Sequence, residues 1–430
     1  MNLTDNLKLL RLQEEKKYIN ASFIEGLARQ LIDELVQWAN DEIFAPLGGE
    51  VTFDITLGPS NAGVRLCRDR PFHPHMEFRA LLISDIYADA FSFPIICRRL
   101  AEETQTLTHF HEMELFRNCR VKFLGPLPQL HQSNVVEIFQ DACEIFVDQN
   151  LEIGTDDRQL RVEEVRCRFI MFELMLVWTF FHELGHVVQG HQYMDAEGRS
   201  LMWNGCYLEM DDEALKQIKL PVEDGIASEA ISNSMPDLAA QALELMADAD
   251  ATDQTLKYLV MRRRLNFNVW YLLLCSTGCM FQRFYTVYPD NLELSHARHP
   301  HPAIRDEASQ LLSLNWVADY LVANKNVQTQ AEAVLPLTYL NVRASLVTGL
   351  FRSHRMEKRE GADRLPSYMG LVGKGNEQQR AYLQALLPEI ERQLPVALQH
   401  HLIDLHSIKY WFEHMKASVN AIGASHMPGC

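Results

Sequence analysis

The chain has 430 residues, of which 47% are hydrophobic, and a formal net charge of −17 with histidine neutral. That length exceeds one ordinary hydrophobic core and predicts two or three domains or subdomains, and the apolar content excludes wholesale disorder. So acidic a balance gives no electrostatic support for binding nucleic acid or an anionic membrane, and neither partner is expected.

The nine cysteines form no C-x-x-C pair, and the opening residues MNLTDNLKLL do not read as a secretory signal. Both features point to a reducing, cytoplasmic setting with thiols free or buried. Residues 1–157 read as an N-terminal α+β region. Apolar residues at helical spacing, Phe23, Leu27, Leu31, Leu35 and Trp38, predict an amphipathic helix over 18–40. Pro46, Gly48 and Gly49 end it, and the alternation in VTFDITL at 51–57 predicts a strand. Residues 58–63 read as a loop, and without a Gly-Lys-Ser/Thr ending they make no phosphate cradle. A helix is expected over 76–107, kinked at Pro94, with His73 and His75 on the surface before it. His111-Glu112 begins a metal motif that lacks its second histidine. A strand over 119–124 and a helix over 135–150 precede a loop at 154–157, where this region ends.

The core is expected at 158–310. Its apolar run FIMFELMLVWTFFHELGHVVQGH, at 169–191, holds His182-Glu183-Leu184-Gly185-His186, an H-E-x-x-H motif in a helical setting. Positions four apart share one helix face, so His182 and His186 can reach one zinc ion at about 2.0–2.1 Å. Glu183 then stands where a general base takes a proton from water. His191 lies nine residues after His182, one short of the third histidine of the metzincin pattern. It reads as a helix-end residue or an outer partner of the site, with a ligand role as the competing possibility. The polar stretch 194–237 reads as a long insert able to wall a substrate cleft.

A helix over 238–260 sets Glu244 and Asp248 four residues apart, again on one face. A carboxylate completes a three-ligand catalytic zinc site with two histidines and leaves the fourth position open. Asp248 can then accept the second N–H of a ligand histidine. The alternative is an acidic exposed face, which Asp250 and Asp253 favour and the small residues Ala239, Ala240, Ala247 and Ala251 oppose. Residues 265–282 carry no charge over eighteen positions, yet their Asn, Ser, Thr and Gly content reads as a buried helix rather than a membrane span. Cys275 and Cys279 are small core residues there. His299, His301 and Arg305 follow in HARHPHPAIR, where rigid prolines can aim an imidazole that stabilises an oxyanion. His301 is expected to point much as His299 does and to be able to replace it. The remainder, 311–430, reads as a helical region for substrate or partner binding, with leucine-rich helices over 311–350 and 376–421.

H-E-x-x-H, then Glu244-Leu245-Met246-Ala247-Asp248, then His299-Pro300 with Arg305 six residues after the histidine, together resemble the gluzincin metallopeptidases of the HtpX and CAAX prenyl protease family. The likeness spans residues 175–305. It implies an α+β, predominantly α protein with a zincin-like core. One Zn2+ would be held by His182, His186 and Glu244, with Glu183 as the catalytic base. Asp248 would orient a histidine, His299 would lie near the substrate carbonyl, and Arg305 would fix its turn. Those relatives are typically embedded in membranes, whereas no span is expected here. The H-E-L-G-H-x-x-x-G-H run is also similar to soluble peptidases of the ImmA/IrrE type and the phage-exclusion Lit type. The expectation is a zinc-dependent metalloendopeptidase acting on a protein or peptide in regulation, stress or phage defence. A reading of another class is a non-catalytic zinc-binding interaction or sensor protein. Glu183 argues against it, since a closed structural site has no use for a base.

Overall fold

The computed structural model describes residues 21–67, 69–104, 155–193, 202–203, 206–209, 237–283, 299–360, 368–403 and 406–424. Helices predominate, beside one small sheet. Helix α1, Ala21–Ala39, turns Ile24, Leu27, Ala28, Leu31, Ile32 and Leu35 inward, the apolar face its spacing predicts. Trp38 sits at the margin of that face and meets the Phe181 ring edge-on at 5.5 Å. Three strands follow: β1 Thr52–Thr56, β2 Ala62–Cys67 and β3 Arg70–Arg79. β3 lies between the other two, parallel to β1 and antiparallel to β2.

Two of these strands depart from the sequence reading. The loop expected at 58–63 gives way to β2 from Ala62, and residues 76–79 end a strand rather than begin a helix. Pro74, Met76 and Phe78 alternate into the core, and that period of two overrides the helical reading. Helix α2, Ala80–Thr104, starts only after it and carries Pro94 inside. The strand expected at 119–124 and the helix expected at 135–150 lie outside the described residues.

Helix α3, Thr155–Val188, is the axis of the fold and begins inside the loop expected at 154–157. From Phe169 onward its side chains are buried all round, which defines a core helix rather than an amphipathic one. It packs against α2, β2, α4 (Leu238–Met261) and α5 (Phe267–Arg283). Glu173, a carboxylate within its apolar run, is matched in the core by Arg264, with Nη2 to Oε2 at 2.7 Å, and by the Tyr258 hydroxyl at 2.9 Å. Part of the long insert is sheet edge: β4, Met202–Trp203, pairs antiparallel with β5, Cys206–Glu209, which in turn pairs antiparallel with β2.

Helix α4 is enclosed on two sides. Ala251, Leu256, Tyr258 and Leu259 join the main core, and Ala242, Leu245, Met246 and Ala249 join a second one. The second core is completed by α6 (Pro302–Ala323), α8 (Tyr368–His400) and α9 (His406–Ala424). Between α6 and α8 runs α7, Gln330–Glu360. The helix expected over 311–350 is interrupted near Lys325, whose φ of 57° no α-helix accommodates. The helix expected over 376–421 is likewise two, α8 and α9, with a break at His400. Among the described residues, no helix is long and apolar enough to cross a membrane.

Candidate metal centre

The site forms where α3 and α4 touch. Gly185 lies at the contact, and a Cβ there would stand 3.2 Å from the Ala247 carbonyl oxygen and 3.3 Å from its Cα. Glycine on one helix and alanine on the other thus let the two backbones approach closely. That approach brings Glu244 of α4 to the paired histidines of α3. His182 Nε2 lies 3.4 Å from Glu244 Oε2, His186 Nε2 lies 3.6 Å from Glu244 Oε1, and the two Nε2 atoms are 3.3 Å apart. One donor atom from each of the three residues falls within 4.8 Å of the others, and all three residues are buried. Glu183, also buried, follows His182 on the same helix.

Around these donors stands a second ring of contacts. Arg305 of α6 grips Asp248 with both arms, Nε to Oδ2 at 2.8 Å and Nη2 to Oδ1 at 2.7 Å. Asp248 Oδ1 is also 3.0 Å from His182 Nδ1, an attraction between charges rather than an aligned hydrogen bond. Trp178, one turn before His182, stacks on its ring at 5.1 Å and meets Phe281 edge-on at 5.2 Å. Phe281 in turn lies under the Arg305 guanidinium at 4.9 Å. His186 Nδ1 is 2.7 Å from His191 Nδ1, and His191 Nε2 is 2.7 Å from Gln189 Oε1.

The charge balance of the cluster is compatible with a bound cation. Burial works against a charge on His182, but contacts with the Asp248 and Glu244 carboxylates outweigh it and lift the ring to about 10. Burial likewise opposes the Glu244 charge, and His299 and His182 hold it ionised, well below the usual carboxylate range. Asp248 is kept ionised against its own burial mainly by Arg305. With Asp248 already paired to Arg305, the buried Glu244 carboxylate is the charge left to be balanced on the imidazole side, and a metal cation in the proton's place would balance it. The donor set fits that occupant: imidazole nitrogens and a carboxylate oxygen gathered within 4.8 Å of one another. No family model matches the chain, and no curated protein or solved structure does. The case for the site accordingly stands on its own residues.

The remaining candidate residues fall as follows. His299 does not stand apart from the ligands: its Nδ1 is 2.8 Å from Glu244 Oε2, and its side chain, 18% exposed, is the most open of the group. His301 does not share that position. It caps α6, accepting the Ala303 N–H at its Nδ1 at 3.1 Å, and burial pushes its ring down to about 4. His191 lies against His186 through a ring nitrogen and is outside the group of three possible ligands. Burial and the neighbouring His186 hold it well below the usual histidine range. The acidic-face alternative for α4 fails, because Asp250 and Asp253 are each 1% exposed and pair with His401 and Lys257.

Sequence reasoning missed four contributors. Trp178 and Gln189 lay in the motif's own run, at helical spacings that a search for aromatic or amide neighbours would catch. Tyr382 gave no signal; its hydroxyl donates to Gln241 at 2.7 Å and accepts the His301 N–H at 3.3 Å, tying α8 to α4 and to the turn before α6. Neither did His401, whose neighbours cap the metal helix: Leu402 N–H donates to the Val188 carbonyl at 2.9 Å, and a Cβ on Gly190 would reach within 2.5 Å of His400 Cβ. Gly190 has a φ of 67°, the left-handed conformation that ends a helix.

Proposed function

We propose that the chain is a zinc metallopeptidase, with a zincin-like core in which α3 and α4 carry the ligands. The observation that carries this reading is the meeting of His182, His186 and Glu244, with Glu183 on the same buried helix. Two imidazoles and one carboxylate are a catalytic rather than a structural zinc set, since structural sites are closed by four ligands. Zinc, when bound, would lower the pKa of its water to about 7 and polarise the substrate carbonyl.

The chain's own residues would divide the rest of the work. His182 Nε2, His186 Nε2 and the Glu244 carboxylate would hold the ion. Glu183 would take the water's proton at its carboxylate and hand it to the leaving amine. His299, bonded to Glu244 through Nδ1, would restrain that carboxylate and, being the most open group, lie beside the substrate. Trp178 and Phe281 would exclude bulk water from the ring of His182 and from Arg305. The resemblance to gluzincins, and to ImmA/IrrE-type and Lit-type peptidases, favours a cytoplasmic peptidase acting on a protein substrate in regulation or defence. The test is a proteolysis assay on purified zinc-loaded chain against mixed protein substrates, wild type beside Glu183→Gln. Cleavage by wild type alone supports the reading. Equal cleavage by both, or by neither, counts against it and favours a zinc-bound interaction protein.

A further inference from the structure

From the hydrogen-bond chain behind the metal helix, we infer that His191 is a positioning residue. It sets the tautomer of His186, so that His186 Nε2 presents its lone pair to the metal before any metal arrives. The inference rests on the proposed metal site.

The chain of contacts has four members. The Gln189 amide nitrogen donates to the Met246 carbonyl at 2.8 Å, Gln189 Oε1 faces His191 Nε2 at 2.7 Å, and His191 Nδ1 faces His186 Nδ1 at 2.7 Å. His186, Gln189 and His191 are all buried. A carbonyl can only accept, so the Gln189 amide must present its nitrogen to Met246 and its oxygen to His191. That oxygen can only accept in turn, so His191 Nε2 carries a proton. A neutral His191 then has a bare Nδ1. Two ring nitrogens this close must share one proton between them, so His186 Nδ1 donates and His186 Nε2 is left with its lone pair. The direction of every bond therefore follows from one backbone carbonyl on α4.

That carbonyl belongs to Met246, between Glu244 and Asp248 in sequence. The helix that supplies the third ligand thereby also orients the second. Metal-bound histidines usually donate their outer N–H to a carboxylate, a backbone carbonyl or water. Here a neutral imidazole takes that place, and it relays the demand of the Met246 carbonyl.

The test has two parts. Zinc affinity is measured by chelator competition at one neutral pH, for wild type, His191→Leu, His191→Asn and Gln189→Leu. In His191→Asn the amide oxygen can occupy the place of Nδ1 and accept from His186. His191→Leu should bind zinc about 10–100-fold more weakly than wild type, the usual cost of losing an outer partner. His191→Asn should recover most of that loss, and Gln189→Leu should fall between. In parallel, nitrogen NMR of 15N-histidine-labelled, metal-free wild type should show His186 protonated at Nδ1 and bare at Nε2. Wild-type zinc affinity in a folded His191→Leu, or no recovery in a folded His191→Asn, would overturn the inference. So would a His186 carrying its proton on Nε2 in metal-free wild type, and this result does not depend on the variants folding. A wild type that binds no zinc would instead overturn the metal-site reading.

Discussion

His182 and His186 lie one turn apart on α3, but their outer surroundings differ in kind. Behind His182 stand ions: Asp248 at 3.0 Å, itself gripped by Arg305, all of it buried. Behind His186 stand neutral groups that end on the Met246 carbonyl. Magnitudes separate the two. Removing one partner of a buried ion pair leaves an uncompensated charge and costs about 3–5 kcal/mol. Leaving one buried neutral donor unsatisfied costs about 1–3 kcal/mol. The charged side should therefore carry more of the site's stability, and the neutral side should act through orientation.

The largest effect is expected where the two sides meet. Glu244→Ala, like His186→Ala, should reduce bound zinc from one ion per chain to a trace in elemental analysis of purified protein. Full occupancy in both variants would remove the ligand assignment, and with it the comparison. Next comes Glu183→Gln, which replaces none of the proposed ligands. It should keep zinc and thermal stability while slowing hydrolysis about 10²–10⁴-fold, the usual contribution of a general base. A rate equal to wild type on a verified substrate would take Glu183 out of the mechanism.

Asp248→Asn breaks the charged side directly. It removes the two-armed counter-charge of buried Arg305 and leaves it Glu244 Oε2 at 3.5 Å, and urea unfolding of the metal-free protein should show a loss of up to about 3–5 kcal/mol. Adding Arg305→Met should restore part of that loss. If the double variant is no more stable than Asp248→Asn, the cost lies elsewhere than in the guanidinium left behind.

The smallest effect concerns the far support of the neutral side, where His401 Nε2 and Asp250 Oδ2 are 3.0 Å apart beside the end of α3. Burial alone would lower His401, and the attraction and bond to Asp250 outweigh it, so its folded value is raised. A raised folded value means that the pair's stabilisation is complete below the unfolded value of about 6.5 and is lost as pH rises through the folded one. The stability gap between metal-free wild type and His401→Gln should accordingly shrink as unfolding is repeated at increasing pH above neutrality. A gap that widens with pH would mean that His401 is neutral in the fold.

How much of this was legible beforehand depended on how local the signal was. His182 with His186, and Glu244 with Asp248, are each four residues apart on one helix, so spacing alone could put each pair on one face, with Glu183 next to the first ligand. The bend at His299 was legible from its prolines, but Arg305 lies in the first turns of helix α6 rather than in that bend. The supports were not, because their contacts span the chain: Tyr382 to Gln241 crosses 141 residues and His401 to Asp250 crosses 151. Asp250 and Asp253 kept a solvated face open as the alternative for α4, because an isolated helix gives no sign of being enclosed on both sides. In the sheet, two prolines and two histidines within β3 masked an alternation that only its pairing with β1 and β2 brings out.

The central claim, one open metal site between α3 and α4, is tested most directly by anomalous diffraction at the zinc edge on crystals of the zinc-loaded chain. One strong peak is expected within about 2.0–2.2 Å of His182 Nε2, His186 Nε2 and a Glu244 carboxylate oxygen, with a fourth position open to solvent. A peak bonded to His191 in place of Glu244, a site closed by a fourth protein ligand, or no peak between the two helices would contradict it.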